Sequence, residues 1–159
     1  MKFYTIGVYG KTEKDFFTAL DNKNIDLFCD IRQRRGVRGK KYSFVNSLKL
    51  QKKLKELNIE YLHIKDLAPT KEIREAQKEE DNRQNTLKRD RTKLGEKFVT
   101  EYNKQIIEEF SFEELLNFFQ KNNFNNIVFF CVEEVPVACH RSLVAKKIIE
   151  IYNQKIEDL

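Results

Sequence analysis

Short apolar runs recur along the chain at Phe3 to Tyr9, Ile25 to Ile31, Ile59 to Ile64 and Ile127 to Val132. Runs of this length, rich in β-branched and aromatic residues, are the signature of strands buried on both faces. The segments between them repeat every three to four residues instead. Phe16, Phe17 and Leu20 form one such stripe, and Val45, Leu48, Leu50, Leu54 and Leu57 form another. Strand, helix, strand, helix, strand is the rhythm of a parallel sheet with helical crossovers. Helical spacing returns at Phe98, Tyr102, Ile106 and Ile107, and again at Phe112, Leu115, Leu116 and Phe119, where Ser111 and Glu114 form a capping box. The last run leads through Pro136 into a helix carrying Leu143, Val144, Ile148, Ile149 and Tyr152. The pattern predicts an α/β fold, a single domain over 1–159 in three layers, with a mostly parallel sheet of four or five strands flanked by helices.

One stretch departs from this rhythm. From Lys71 to Lys97 the chain is dense in charge, with Ile73, Leu87 and Leu94 widely separated. A solvated helix, a lid and a mobile insertion all fit that composition.

Composition changes the picture in two respects. Thirteen phenylalanines supply a core despite 35% charged residues, and a formal charge of +5 with a pI near 9.0 favours anionic partners without being histone-like. The odd set Cys29, Cys131 and Cys139 argues against a complete disulfide framework, and no leader-like or membrane-spanning run is present. A cytoplasmic location and no membrane partner are therefore expected. Oligomeric state leaves no mark on the sequence.

In an open parallel sheet, ligands bind beyond the carboxyl ends of the strands. That rule gathers Tyr9, Gly10, Asp30, Arg32, His63, Lys65, Cys131 and Glu133 on one rim. Two loops there carry chemistry. The first runs from Asp30 to Tyr42 and holds Arg32, Arg34, Arg35, Arg38, Lys40 and Lys41, with Lys49 shortly after. Arginine's planar fork of donors matches phosphate or carboxylate oxygens, so Arg32, Arg35 and Arg38 are candidate anion clamps, with Asp30 orienting one of them and Tyr42 beside them.

The second loop, Cys131 to Arg141, offers two thiols, the Glu133 carboxylate, the His140 imidazole and the Arg141 guanidinium. A helix amino terminus and a neighbouring arginine would lower the pKa of Cys139 and make it a nucleophile. His140 and Glu133 would then move protons, and Arg141 would hold an anion at the helix start. Zinc is the rival for the two cysteines and the histidine, with Glu133 or His63 as a fourth ligand. The spacing matches no standard finger, so neither metal nor cofactor is assigned. Cys29 reads as a core residue and His63 as a satisfied rim histidine.

Thr5 and Gly7, Asp30 and Arg32, Tyr61, and above all Cys131, Glu133, Cys139, His140 and Arg141 resemble the domain of unknown function family 488 over essentially the whole chain. The segment from Arg34 to Thr70 looks like one branch of that family, with Leu67, Ala68 and Pro69 where other branches carry Leu-Gly-Gly. The resemblance implies a fold and a motif but no reaction.

Three functions compete on these residues. The first is an enzyme acting on a phosphate-bearing substrate such as a nucleotide or a nucleic-acid end. The second is a nucleic-acid-binding module that uses the basic loop with Tyr42 and Phe44 as a stacking platform. The third is an interaction domain in which the motif is a structural ion-pair network.

Overall fold

The computed structural model of the chain describes residues 1–87 and 90–159. The strands are β1 (Lys2–Ile6), β2 (Leu27–Asp30), β3 (Glu60–His63), β4 (Asn126–Phe130) and β5 (Glu157–Asp158). They form one sheet in the order β3-β2-β4-β1-β5, and every neighbouring pair is parallel. The helices are α1 (Glu13–Asn22), α2 (Ser47–Glu56), α3 (Lys71–Arg83), α4 (Glu96–Tyr102), α5 (Phe112–Lys121) and α6 (Arg141–Tyr152), and a π-helical turn over Asn103–Ile107 extends α4. The α/β fold with a parallel sheet flanked by helices is thus as the hydrophobic pattern predicts.

Local chemistry sets where the helices start and stop. Thr12, Thr70 and Ser111 each accept the backbone N–H of the third residue of α1, α3 and α5, Asp15, Ile73 and Glu114, on a side-chain oxygen. Asn24, Asn58 and Asn123 take left-handed φ values of 49°, 56° and 59° just after α1, α2 and α5. Asparagine tolerates that conformation better than most residues. There the N–H groups of Ile25, Ile59 and Phe124 reach back to the carbonyls of Leu20, Leu54 and Phe119, which closes each helix and aims the chain into the next strand. Leu20, Leu54 and Phe119 are fully buried, so the same residues that end the helices also join the core.

The chain runs from β1 out to β2 and β3, then returns to insert β4 between β2 and β1. The carboxyl end of β4 therefore lies between those of β2 and β1. Beyond the strands the pairing continues: Ile31 N–H donates to Phe130 O, Cys131 N–H to Ile6 O, and both Val8 and Tyr9 N–H to Val132 O. These bonds fix the loops that carry Arg32, Tyr9 and Cys131 side by side.

β1 and the Cys131 loop approach so closely that only glycine fits at position 7. A Cβ on Gly7 would lie 2.0 Å from Glu133 O.

The charged stretch from Lys71 to Lys97 is not a wet face alone. α3 buries Ile73, Ala76, Gln77 and Asp81, and α4 buries Phe98 and Tyr102. Asp81 receives Arg91 Nε at 3.0 Å and Gln77 Nε2 at 2.8 Å, while the Gln77 oxygen takes the Gly95 N–H at 2.9 Å. Leu94 N–H donates to Val137 O, tying this segment to the second loop. Within the same stretch, Lys88 and Arg89 lie outside the described residues. No helix among the described residues is long and apolar enough to cross a membrane.

Candidate ligand-binding site

Arg32 emerges from β2 into a fully specified setting. Its Nε and Nη2 donate to the two Asp30 carboxylate oxygens at 2.8 and 2.7 Å, and Nη2 also reaches Val45 O at 3.0 Å. Its Cζ lies 4.6 Å from the centre of the Phe130 ring, a cation–π contact. Asp30 further accepts the Arg32 backbone N–H and the Tyr61 hydroxyl, so this carboxylate orients the arginine. Burial first, then the Asp30 charge, pushes the Tyr61 phenol up to about 12, and Arg35 beside it works the other way. His63 Nε2 donates to Arg32 O at 2.9 Å, the satisfied rim role expected of it.

After all these bonds one nitrogen remains. Arg32 is only 4% exposed, and its Nη1 is the one buried side-chain nitrogen or oxygen among the described residues with no hydrogen-bond partner. A buried donor left unmade costs about 1–3 kcal/mol, and more when charged.

Arg32 lines a cavity of about 640 Å³, within the usual range for small-molecule sites. Arg38, Cys131, Glu133, Cys139 and His140 line it too, so the guanidinium and the thiol–imidazole–carboxylate group share one mouth. The far wall comes from α3, α4 and the segment between them through Arg74, Gln77, Lys78, Asp81, Arg91 and Phe98. Arg32 is matched to Asp30 and Arg91 to Asp81, and the lining further carries Arg34, Arg38, Arg74 and Lys78 with Glu133 as its one other acid. The wall is net positive.

The second loop brings its side chains together through the end of β4 and the start of α6. Cys131 Sγ donates to Glu133 Oε2 at 3.5 Å and lies 3.8 Å from His140 Nδ1. Cys139 Sγ lies 3.9 Å from the same nitrogen. On its other side the imidazole meets Ile31 O at 3.0 Å, and because a carbonyl only accepts, Nε2 carries the proton. Nδ1 therefore faces both sulfurs; burial lowers the pKa of the imidazole, but Cys139, Ile31 O and Glu133 together raise it above the ordinary value. The Tyr102 ring packs 5.5 Å from the imidazole and holds it from behind.

Two sequence expectations need correction here. Cys139 is 1% exposed, and burial pushes its thiol well above the ordinary value, with the neighbouring Cys131 and Glu133 acting in the same direction and His140 opposing. Desolvation thus works against the helix start and the nearby cation, the opposite direction to the lowered pKa expected of Cys139. Arg141 is wholly buried and turned inward. Its Nε donates to Asp158 Oδ1 at 3.1 Å, Nη1 to Glu133 O at 2.6 Å, and Nη2 to Glu134 O at 2.9 Å. It holds the loop to α6 and β5, and no donor nitrogen is left for an anion at the helix start.

Arg35 and Tyr42 lie outside the cavity lining, and Asp30 sits beneath it. The Tyr42 hydroxyl accepts the Gly10 N–H at 3.1 Å, and Phe44 is buried against Phe16 and Phe17. The pair is therefore packing, not an open stacking platform. The residues that sequence reasoning missed are Arg74, Gln77, Lys78, Asp81 and Arg91. Ile73, Gln77 and Asp81 follow one another at i, i+4 and i+8 along α3, but polar side chains at two of the three hide the buried face from a hydrophobic pattern.

No curated protein and no solved structure matches the chain. Residues 12–148, which run from the start of α1 into α6, carry β2, β3 and β4 and include every cavity-lining residue except Tyr9, match the domain of unknown function DUF488. The chain belongs to the DUF488 family.

Proposed function

We propose that the protein binds a phosphate-bearing ligand of nucleotide size in the cavity at the carboxyl rim of its sheet. The observation that carries this reading is the buried, partnerless Arg32 Nη1 on a net-positive wall. An oxyanion oxygen supplies the missing acceptor, and the Asp30 carboxylate holds the fork in place without covering that nitrogen. Arg38 and Arg34, both exposed on the basic loop, reach the same ligand from the mouth. Cys139, His140 and Glu133 stand at the floor, where any reaction on the bound group would take place. Three free thiols fit a reducing, cytoplasmic setting.

A second reading is supported by the loop itself. Arg34, Arg35, Arg38, Lys40 and Lys41 are all exposed, which suits a clamp on a nucleic-acid backbone whose terminal phosphate enters the cavity.

Thermal denaturation with inorganic phosphate and with nucleoside mono- and triphosphates tests both. At ten times its dissociation constant a ligand adds about 1.4 kcal/mol, a rise of about 3–6 °C in Tm for a chain of this length. Arg38→Ala, at an exposed position, is expected to leave the unliganded Tm unchanged and to weaken the ligand several-fold. A short 5′-phosphorylated oligonucleotide that binds more tightly than the mononucleotides, and loses that advantage as salt rises, supports the second reading. Wild-type protein with no shift from any of these anions contradicts both.

A further inference from the structure

We propose that Cys131, Cys139 and His140 together hold a single zinc-class ion at the floor of the cavity. One candidate ligand atom from each of the three residues lies within 4.8 Å of the others, and all three residues are buried. A tetrahedral zinc about 2.3 Å from sulfur and about 2.0–2.1 Å from nitrogen keeps those donors about 3.6 Å apart. The sulfur-to-Nδ1 separations of 3.8 and 3.9 Å are within a few tenths of an ångström of that, and the two sulfurs, within 4.8 Å of one another, would close to about 3.8 Å around the ion.

The surroundings are those of a ligand set. A metal-binding histidine has its second ring nitrogen fixed by an acceptor, and Ile31 O at 3.0 Å from Nε2 does this, leaving the Nδ1 lone pair on the side of the sulfurs. Two sulfurs and one imidazole form a soft donor set, which selects zinc over magnesium or calcium. Two thiolates neutralise the dication, and their displaced protons leave to solvent. No disulfide uses these sulfurs.

Seven residues lie between the two cysteines. Spacing alone therefore matches no zinc finger, but Cys131 N–H is pinned to Ile6 O at the end of β4 while a 3-10 turn over Pro136–Ala138 folds the chain back to bring Cys139 alongside. Only three protein donors come from this group, and all three line the cavity, so the fourth position opens to water or a ligand within it. Three protein ligands and one open position are the arrangement of reactive rather than purely structural zinc. Glu133, whose carboxylate lies 3.5 Å from Cys131 Sγ, would stand beside that position.

Cobalt(II) reports this site directly. Untagged protein, stripped of metal under reducing conditions and titrated with cobalt, is expected to develop thiolate-to-cobalt charge-transfer absorption and intense visible bands. Both should saturate at one ion per chain and be erased by an equal amount of zinc. Cys29→Ala, in the core strand β2, should keep the signal, and Cys131→Ser with Cys139→Ser should lose it. Failure of the wild-type chain to give the charge-transfer band overturns the proposal whatever the variants do, and so does an unchanged band in the double serine variant. The readout does not involve Arg32 or phosphate, so it stands or falls separately from the ligand proposed above.

Discussion

Replacing Arg141 with methionine is expected to destabilise the fold by about 3–5 kcal/mol, the range for removing one partner from a buried charge network. In a chain of this length that is a fall of about 6–20 °C in Tm, readable by urea or thermal denaturation. The size follows from what is left behind. Glu133 O and Glu134 O both lose their guanidinium donors, and each unmade buried bond costs about 1–3 kcal/mol. Asp158, whose side chain is 28% exposed, is partly rehydrated and softens the loss. Lysine is expected to rescue little, because one ammonium cannot replace a fork that spans two carbonyls and a carboxylate. A loss below about 1 kcal/mol would show that the inward network is not what retains this arginine.

The second large effect belongs to a residue with no side chain. Gly7→Ala is expected to cost about 3 kcal/mol, near the top of the usual range for overpacking. The obstacle is backbone: the added Cβ would sit 2.0 Å from Glu133 O and 3.0 Å from Arg141 Nη2. Relief requires β1 and the Cys131 loop to separate, which strains the Cys131 N–H bond to Ile6 O and the Val8 N–H bond to Val132 O. Faster hydrogen exchange at those amides should accompany the loss. Gly36→Ala is the control, since its nearest contact would be Asn46 Oδ1 at an ordinary 3.7 Å. Equal stability of the two variants would mean that the close approach at Gly7 is not a constraint. Because Gly7 and Arg141 act on the same carbonyl, the two changes are expected to be less than additive.

These two residues show where the sequence could be read and where it could not. Thr5, Gly7 and Arg141 stood out as motif members, yet their roles depend on Glu133 and Asp158, and no local pattern announces those contacts. The four longer strands were legible because each is an apolar run between helical stripes. β5 was not. Its residues Glu157 and Asp158 are exposed and charged, and they pair with β1 through backbone bonds that leave no hydrophobic trace. The rim rule brought Tyr9, Arg32, Cys131 and Glu133 together from strand ends, and these four line the cavity, whereas Gly10, His63 and Lys65 of the same rim do not. Spacing did not reveal that Cys131, Cys139 and His140 converge, because local separation ignores the turn that folds the loop back. Cys139 misled for another reason: proximity to a cation and a helix start favours thiolate, but burial, which a sequence shows poorly, decides the balance. The cavity's far wall was hidden because the buried Gln77 and Asp81 and the half-buried Arg91 are polar groups that satisfy one another.

On the proposed reading, the partnerless Arg32 Nη1 waits for an oxyanion. Nitrogen-detected NMR of the arginine guanidinium groups tests it at the atom concerned, with inorganic phosphate titrated into wild-type protein and the Arg32 signals assigned through an Arg32→Lys variant. A saturable shift of the Arg32 Nη1 resonance is expected, while Arg141, each of whose guanidinium nitrogens donates within the protein, stays still. Saturable phosphate shifts confined to exposed Arg34, Arg35 and Arg38, with Arg32 unmoved, would contradict it.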